Sequence, residues 1–362
     1  MLDRFKVPIE DQIRVEHGSL HRTAAALFEA MGETPGDADI GADVLVTADL
    51  RGVETHGVSN MLRRYVDYYR EGRIKAKPNW KIVKESPGTA TIDADRGLVL
   101  FIGPPAMEVA IAKARDVGVG VVTIKNSGHS GAIGYHAMLA AKQDMIGMCM
   151  TTGGASVIPT FASKPMISTD PIAIAAPARN QPPFLFDAAM SAIAGNKLWL
   201  ARRVGADLLP GWVADGEGSP LMRDTTVEEV GEKSILTVGG TRELGSHKGY
   251  GFAMMGEILG AVLSGSTPTM LDGPDTQSHM FAAYNIEAFT DVEVFKDMMD
   301  ATLSTLKNTK PSPGHDRVIY PGLSEYEEEQ ERRVNGIPIH REVIEWLDGA
   351  VAEFSLPPLT IL

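Results

Sequence analysis

The chain of 362 residues has a single cysteine, Cys149, which rules out an intrachain disulfide and any metal cluster built from cysteines, and accords with a reducing compartment. It also lacks blocks of positive charge. Against 34 Lys and Arg stand 47 acidic residues, a net charge of -13, so neither nucleic acid nor an anionic membrane is an expected partner. An anionic small substrate would need a local basic pocket in an acidic molecule. No stretch reaches the ~18 consecutive apolar residues of a membrane span, and the N-terminus lacks the apolar run of a signal peptide, so a soluble, cytoplasmic protein is expected. No G-x-G-x-x-G follows a strand and no G-x-x-x-x-G-K-[ST] occurs, which argues against a Rossmann domain or a P-loop. The absence of G-x-S-x-G argues against a hydrolase built on a nucleophile elbow. His129 and His136 lie seven apart without an H-E-x-x-H pattern, so no metal site is expected. Internal repeats and low-complexity segments are also missing.

The length suits two domains, because single cores stop growing at roughly 250 to 300 residues. The 44% hydrophobic and 22% charged content is ordinary for a globular chain. Apolar residues recurring every three to four positions predict helices over 10–31, 37–50 and 58–70, with Gly52 as a left-handed cap between the second and third. From residue 77 the period changes. Strands are expected at 80–83, 89–93, 119–124, 145–152, 167–176 and 184–187, with helices over 104–117 and 133–143. Loops are expected over 212–231 and 264–280, flanking a strand at 235–238 and a helix over 248–263. Helices near 293–307, 324–333 and 339–354 close the chain. Strands alternating with helices over about 200 residues indicate an α/β domain.

Four stretches could carry chemistry. Arg51 to Gly57 packs a cation, a hydroxyl (Thr55), an imidazole (His56) and two glycines into a helix-helix corner. His56 titrates near neutrality and suits proton transfer, although Thr55 and His56 could equally serve only to satisfy hydrogen bonds there. The turn Asn126 to Gly131 follows a strand and precedes a helix; it is either a phosphate cradle or a plain strand-helix turn. Asp187 ends an apolar strand, where a carboxylate can orient a histidine or cap the next helix. His247 and Lys248 open a helix, an arrangement that suits a phosphate and that the helix dipole otherwise disfavours.

Residues 48–57, the 126–131 turn, Ser168-Thr169-Asp170-Pro171, 186–191, 246–251, Pro321-Gly322, Arg332/Arg333 and Gly336 to Pro338 occur in order. Together they resemble the malate/L-lactate dehydrogenase family, the type distinct from Rossmann-fold lactate and malate dehydrogenases, over nearly the whole chain. The resemblance implies an α/β, non-Rossmann domain binding NAD or NADP (77–291), with a helical catalytic and dimerisation domain built from 1–76 and 292–362. It implies hydride transfer on a 2-hydroxy or 2-oxo acid in a homodimer. By matching positions, His56 would be the proton donor and acceptor, Thr55 would orient it, and Asp187 would complete a charge relay. His129, Ser130, Gly131, Ala132, Ile133, Leu185, Phe186, Ala188, His247, Lys248, Pro321 and Gly322 would hold the dinucleotide.

The departures from the family pattern concern the substrate. Many members carry an arginine four residues after the histidine, which grips the substrate carboxylate; Asn60 stands there, leaving Arg51, Arg63 or Arg64 as replacements. Asp170 replaces the usual asparagine beside Thr169, and Asn196-Lys197 replaces Gly-Lys. These departures point to a substrate other than plain malate or lactate, contacted by Asn60, Arg51, Thr169 and Asp170, with Asp170 pairing with a cationic or hydroxylated group. A reductase of cyclic imino acids on the same fold and a non-catalytic paralogue are the alternatives.

Overall fold

The chain begins with a strand where a helix is expected. β1 (Gln12–Val15) occupies the first part of the expected 10–31 helix, and α1 (His17–Ala30) starts only after Glu16, whose carboxylate accepts the Gly18 and Ser19 N–H groups as an N-cap. The reason is tertiary: β1 pairs antiparallel with β11 (Ile337–His340) from the far end of the chain. α1 and α2 (Pro35–Leu50) bury Leu20, Leu27, Phe28, Val44 and Leu45 in one core together with Ile337 and Ile339 of β11. The last helix, α11 (Arg341–Glu353), adds Val343, Ile344 and Leu347 to that core. α3 (Arg63–Arg70) follows a π-turn at Val58–Leu62 and completes this helical layer. The computed structural model describes residues 2–231, 234–271 and 276–362.

The rest of the chain is organised on a seven-stranded sheet, an α/β architecture. Its strands are β2 (Lys81–Glu85), β3 (Thr89–Asp93), β4 (Val119–Ser127), β5 (Met145–Thr152), β7 (Ile172–Ala176), β8 (Phe184–Ala188) and β10 (Gln277–Asn285), in the order β2-β3-β4-β10-β5-β7-β8. Only β3 and β4 run parallel; the other neighbours are antiparallel, which is not the parallel doubly wound sheet of a Rossmann domain. A separate pair joins β6 (Val157–Ile158) to β9 (Ile235–Leu236). α4 (Val99–Val117) and α5 (Ile133–Ala141) cover one face of the sheet. α6 (Asn196–Val204), the short α7 (Val227–Val230), α8 (Ser246–Gly256) and its π-helical continuation Glu257–Val262 lie on the other side. α9 (Val292–Lys307) packs Leu303 with Phe184, Tyr320 and Leu323, the last residue opening α10 (Leu323–Asn335).

Further expectations need correction. The loop expected over 212–231 holds the short helix α7 (Val227–Val230), opened by a Thr226–Glu229 capping box. α4 begins at Val99, five residues before Pro104, because Pro104 and Pro105 are tolerated inside the helix. The strand expected over 167–176 is confined to β7, with Ile167 forming only an isolated bridge to Val157. In the expected 264–280 loop, 272–275 lie outside the described residues, and 277–280 begin β10, the central strand. β10 looks polar because it carries Ser278 and His279, yet both are buried. His279 Nδ1 meets Thr151 Oγ1 at 2.8 Å and Nε2 meets Ser127 Oγ at 3.1 Å, so its polar atoms are satisfied by the strands on either side.

The helices lie close enough to the sheet to exclude even a methyl group. A Cβ on Gly147 of β5 would sit 2.0 Å from the Ala137 carbonyl oxygen of α5, and one on Gly120 of β4 would sit 1.9 Å from that of Ala110 in α4. Gly147→Ala is therefore expected to lower unfolding stability by about 3 kcal/mol or more, the upper end of overpacking costs, as read by urea denaturation.

Candidate active site

The Arg51–Gly57 corner forms because α2 ends at Leu50 and Gly52, at φ 71°, takes the left-handed conformation that reverses the chain. A single 3-10 turn, Glu54–His56, follows. Gly57 admits no side chain, since a Cβ there would lie 2.1 Å from Asp49 Oδ1. Under the corner, Asp49 accepts the Ser59 hydroxyl at 2.7 Å, and Arg332 of α10 donates to the Asp49 carbonyl at 2.7 Å and to Glu54 Oε1 at 3.1 Å. The Arg332 and Glu54 side chains are 5% and 2% exposed. Burial raises Asp49 to about 7 and raises Glu54, while the guanidinium opposes both shifts.

A cavity of about 750 Å³ opens in front of this corner, lined by Thr55, His56, His129, Ser130, Gly131, Ala132, Ile133, Thr169, Asp187 and Ala188 among others. Thr55 Oγ1 holds His56 Nδ1 at 2.8 Å, and burial lowers the imidazole pKa to about 4. The ring of His129 stacks on that of His56, with centroids 5.6 Å apart and planes 16° apart. Its Nδ1 accepts the Gly131 N–H at 3.0 Å and lies 2.6 Å from the Tyr65 hydroxyl. A nitrogen that accepts from a backbone N–H carries no proton, so neutral His129 holds its proton on Nε2. Burial keeps its pKa well below the usual range.

Asp187, at the end of β8, accepts the Gly134 N–H at 2.7 Å, so the anion at the start of α5 is this carboxylate. Desolvation by the surrounding cavity wall raises it to about 6, although the residue stays accessible from the cavity. The turn over 126–131 thus spends two of its nearby amides, Gly131 on His129 and Gly134 on Asp187, and is less of a phosphate cradle than the sequence suggests. The expected relay is also not closed: Asp187 and His56 share the cavity without a hydrogen bond between them.

Other expected residues lie elsewhere. Asn60 does not line this cavity; its Nδ2 donates to the Thr55 and Asn196 carbonyls, and its Oδ1 accepts from Arg203. Arg51 is paired with Glu329 at 3.1 Å, outside the lining. Asp170 is fully buried and lies off the cavity lining, and burial, with a smaller contribution from nearby Glu257, drives its pKa well up. Of Asn60, Arg51, Thr169 and Asp170, only Thr169 is on the wall. Leu185 and Phe186 pack into the cores on either side of the sheet. His247 and Lys248 are exposed at the start of α8, and Pro321 accepts from the Leu185 N–H with Gly322 pressed against Leu185; none of the four lines the cavity.

Sequence reasoning missed α6, whose first turn brings Asn196 and Lys197 to the cavity; of the three arginines it offered in place of the family's, only Arg64 lies on the wall. The basic last turn of α6, Arg202 and Arg203, was the available signal for a helix. Among the described residues, no group of three or more His, Cys, Asp or Glu could hold a metal ion, and no helix is long and apolar enough to cross a membrane.

Two neutral imidazoles, a hydroxyl and a carboxylate around one cavity are the equipment of an enzyme that moves protons at a small-molecule substrate. The malate/L-lactate dehydrogenase profile matches residues 15–348, and the chain belongs to that family and so to the oxidoreductases. It is 38% identical to a malate dehydrogenase of Pyrococcus abyssi over 97% of this chain and 98% of the relative. It is 36% identical to an L-sulfolactate dehydrogenase of Methanocaldococcus jannaschii, over 91% and 94%. The solved malate dehydrogenase of Pyrococcus horikoshii OT3 superposes with a TM-score of 0.89 at 34% identity, covering 98% of this chain and 99% of that one. Family membership implies a nicotinamide cofactor.

Removing Arg332 would leave Glu54 buried without its partner. Arg332→Met is expected to cost about 3 to 5 kcal/mol of unfolding free energy, and Arg332→Met/Glu54→Gln to recover most of it, both read by denaturant unfolding.

Proposed function

We propose that the chain transfers a hydride between NAD or NADP and a small 2-hydroxy or 2-oxo acid of the malate, lactate or sulfolactate kind, with His56 as acid and base. The observation that carries this reading is the His56 imidazole on the cavity wall, fixed by Thr55 through Nδ1 and held neutral by burial. Fixing Nδ1 leaves Nε2 for the substrate oxygen. In the oxidation direction the neutral ring takes the hydroxyl proton. In the reduction direction an anionic substrate in the cavity raises the ring's pKa and favours the imidazolium that donates it.

The nicotinamide, when bound, gives or takes the hydride. The cavity's dimensions and its small-residue wall at Gly131, Ala132 and Ala188 leave room for a dinucleotide against Ser130 and Ile133. Asp187 places negative charge on the same cavity and stabilises a ring that becomes protonated there. A homodimer is supported by the exposed apolar ridge of Phe252, Met255, Ile258 and Val262 on α8 and its continuation.

A second reading is favoured by the tautomer of His129. With Nδ1 occupied by Gly131 and Tyr65, Nε2–H of His129 is a donor, suited to the carbonyl oxygen of a 2-oxo acid. One experiment separates the two. NADH or NADPH oxidation with a panel of 2-oxo acids is followed for wild type, His56→Ala and His129→Gln. The first reading expects a kcat loss of roughly 100-fold or more for His56→Ala, the scale of general acid-base catalysis. Turnover unchanged by His56→Ala but lost in His129→Gln would transfer the role to His129.

A further inference from the structure

The cavity wall carries a guanidinium that the proton-transfer chemistry does not use. Arg64 lies one turn beyond Asn60 on α3 and lines the cavity with His56 and Lys197. Its guanidinium carbon sits 3.6 Å from the centroid of the Trp199 ring and 5.6 Å from that of Tyr68. One N–H group is 3.4 Å from Asn196 Oδ1. Among the described residues no carboxylate pairs with it, in contrast to Arg51, which Glu329 neutralises, and Arg332, which Glu54 neutralises. A guanidinium stacked on an aromatic face is held flat by that ring, and its N–H edge remains for a planar anion.

The side chain is also coupled to the catalytic corner. Asn196, which accepts from Arg64, donates through Nδ2 to the Thr55 carbonyl at 3.1 Å. Asn60 donates to the same carbonyl and is held in turn by Arg203. Asn60 is thus a structural clamp between the corner and α6, whereas Arg64 lines the cavity and, with Trp199, the neighbouring pocket, with no carboxylate partner among the described residues. The charge of Arg64 is felt at His129, the ring stacked on His56.

We infer that Arg64, laid flat on Trp199, is the specificity-determining residue that binds the carboxylate of the 2-oxo or 2-hydroxy acid in this chain. The inference rests on the dehydrogenase reading above and deepens it. An anion at Arg64 sits beside the paired imidazoles, which places the adjoining C2 oxygen within the reach of a proton donor, and Lys197 adds a second positive charge for a substrate bearing two anionic groups.

The test uses the full-length enzyme with Arg64→Met and Arg64→Lys, measuring steady-state kinetics with oxaloacetate and pyruvate and NADH or NADPH affinity by calorimetry. Arg64→Met is expected to raise KM for the 2-oxo acid about 10- to 100-fold, the loss of a charge-assisted hydrogen bond, with dinucleotide affinity unchanged. Arg64→Lys should recover part of that loss, because the charge returns without the bidentate fork. A second readout needs no turnover: oxalate, a non-reacting dicarboxylate, should change the tryptophan fluorescence of wild type and leave that of Trp199→Phe and of Arg64→Met unmoved. Unchanged KM in Arg64→Met, or an oxalate response that survives both substitutions, would overturn the inference while leaving the dehydrogenase reading intact. Failure of wild type to bind any dinucleotide would instead overturn the dehydrogenase reading itself.

Discussion

The buried contact of Arg332 with Glu54 and the Asp49 carbonyl is the constraint on which the His56 corner depends. It joins a helix near the end of the chain to the turn that presents His56, across 278 residues of sequence. Both charges are almost wholly withdrawn from water, and such a pair contributes little net stability, yet breaking it is costly because the remaining charge has no partner. Its value lies in geometry. Asp49 fills the space that a side chain at residue 57 would need, Ser59 closes onto Asp49, and the 3-10 turn carrying Thr55 and His56 has one place to sit.

From that corner outward, burial sets the electrostatics of the cavity. His56 and His129, half-buried, have their pKa values lowered by partial desolvation, and Asp187, still accessible from the cavity, is raised to about 6. Groups poised in this way change charge when an anionic ligand enters, because the ligand adds the counter-charge that the empty cavity lacks. The net charge of -13 makes the local chemistry more pointed: in an acidic molecule, Arg64 and Lys197 both line this cavity.

Much of the fold could be read along the chain. The α2–corner–α3 unit, α5, β3, β5, β8 and the last helix, α11, follow apolar patterning, because each buries apolar side chains against a neighbour. The central strand β10 could not be read that way. It is covered on both faces, so it shows no alternation, and its serine and histidine find partners only on the adjacent strands. β1 was hidden for a related reason, since its partner lies more than 300 residues away. The site shows the same division. His56 beside a hydroxyl and between glycines, and the carboxylate ending β8, were visible as residue types in suggestive places, whereas the direction of a side chain was not. Asp170 lies between cavity-lining neighbours yet off the lining itself, and Asn60 is consumed by the Thr55 and Asn196 carbonyls.

The sequence by itself determined the class of elements, the absence of a Rossmann phosphate loop, the ordered motifs of the family and the identity of the Thr55–His56 corner, because these depend on local pattern and residue chemistry. Only the tertiary structure decided the sheet order, the tautomer of His129, the Arg332 tie beneath the corner and the placement of Arg64 on Trp199. Each of those is set by a partner remote in sequence, and a hydrogen bond or a stacked ring exists only once the fold has brought the two groups within a few ångströms.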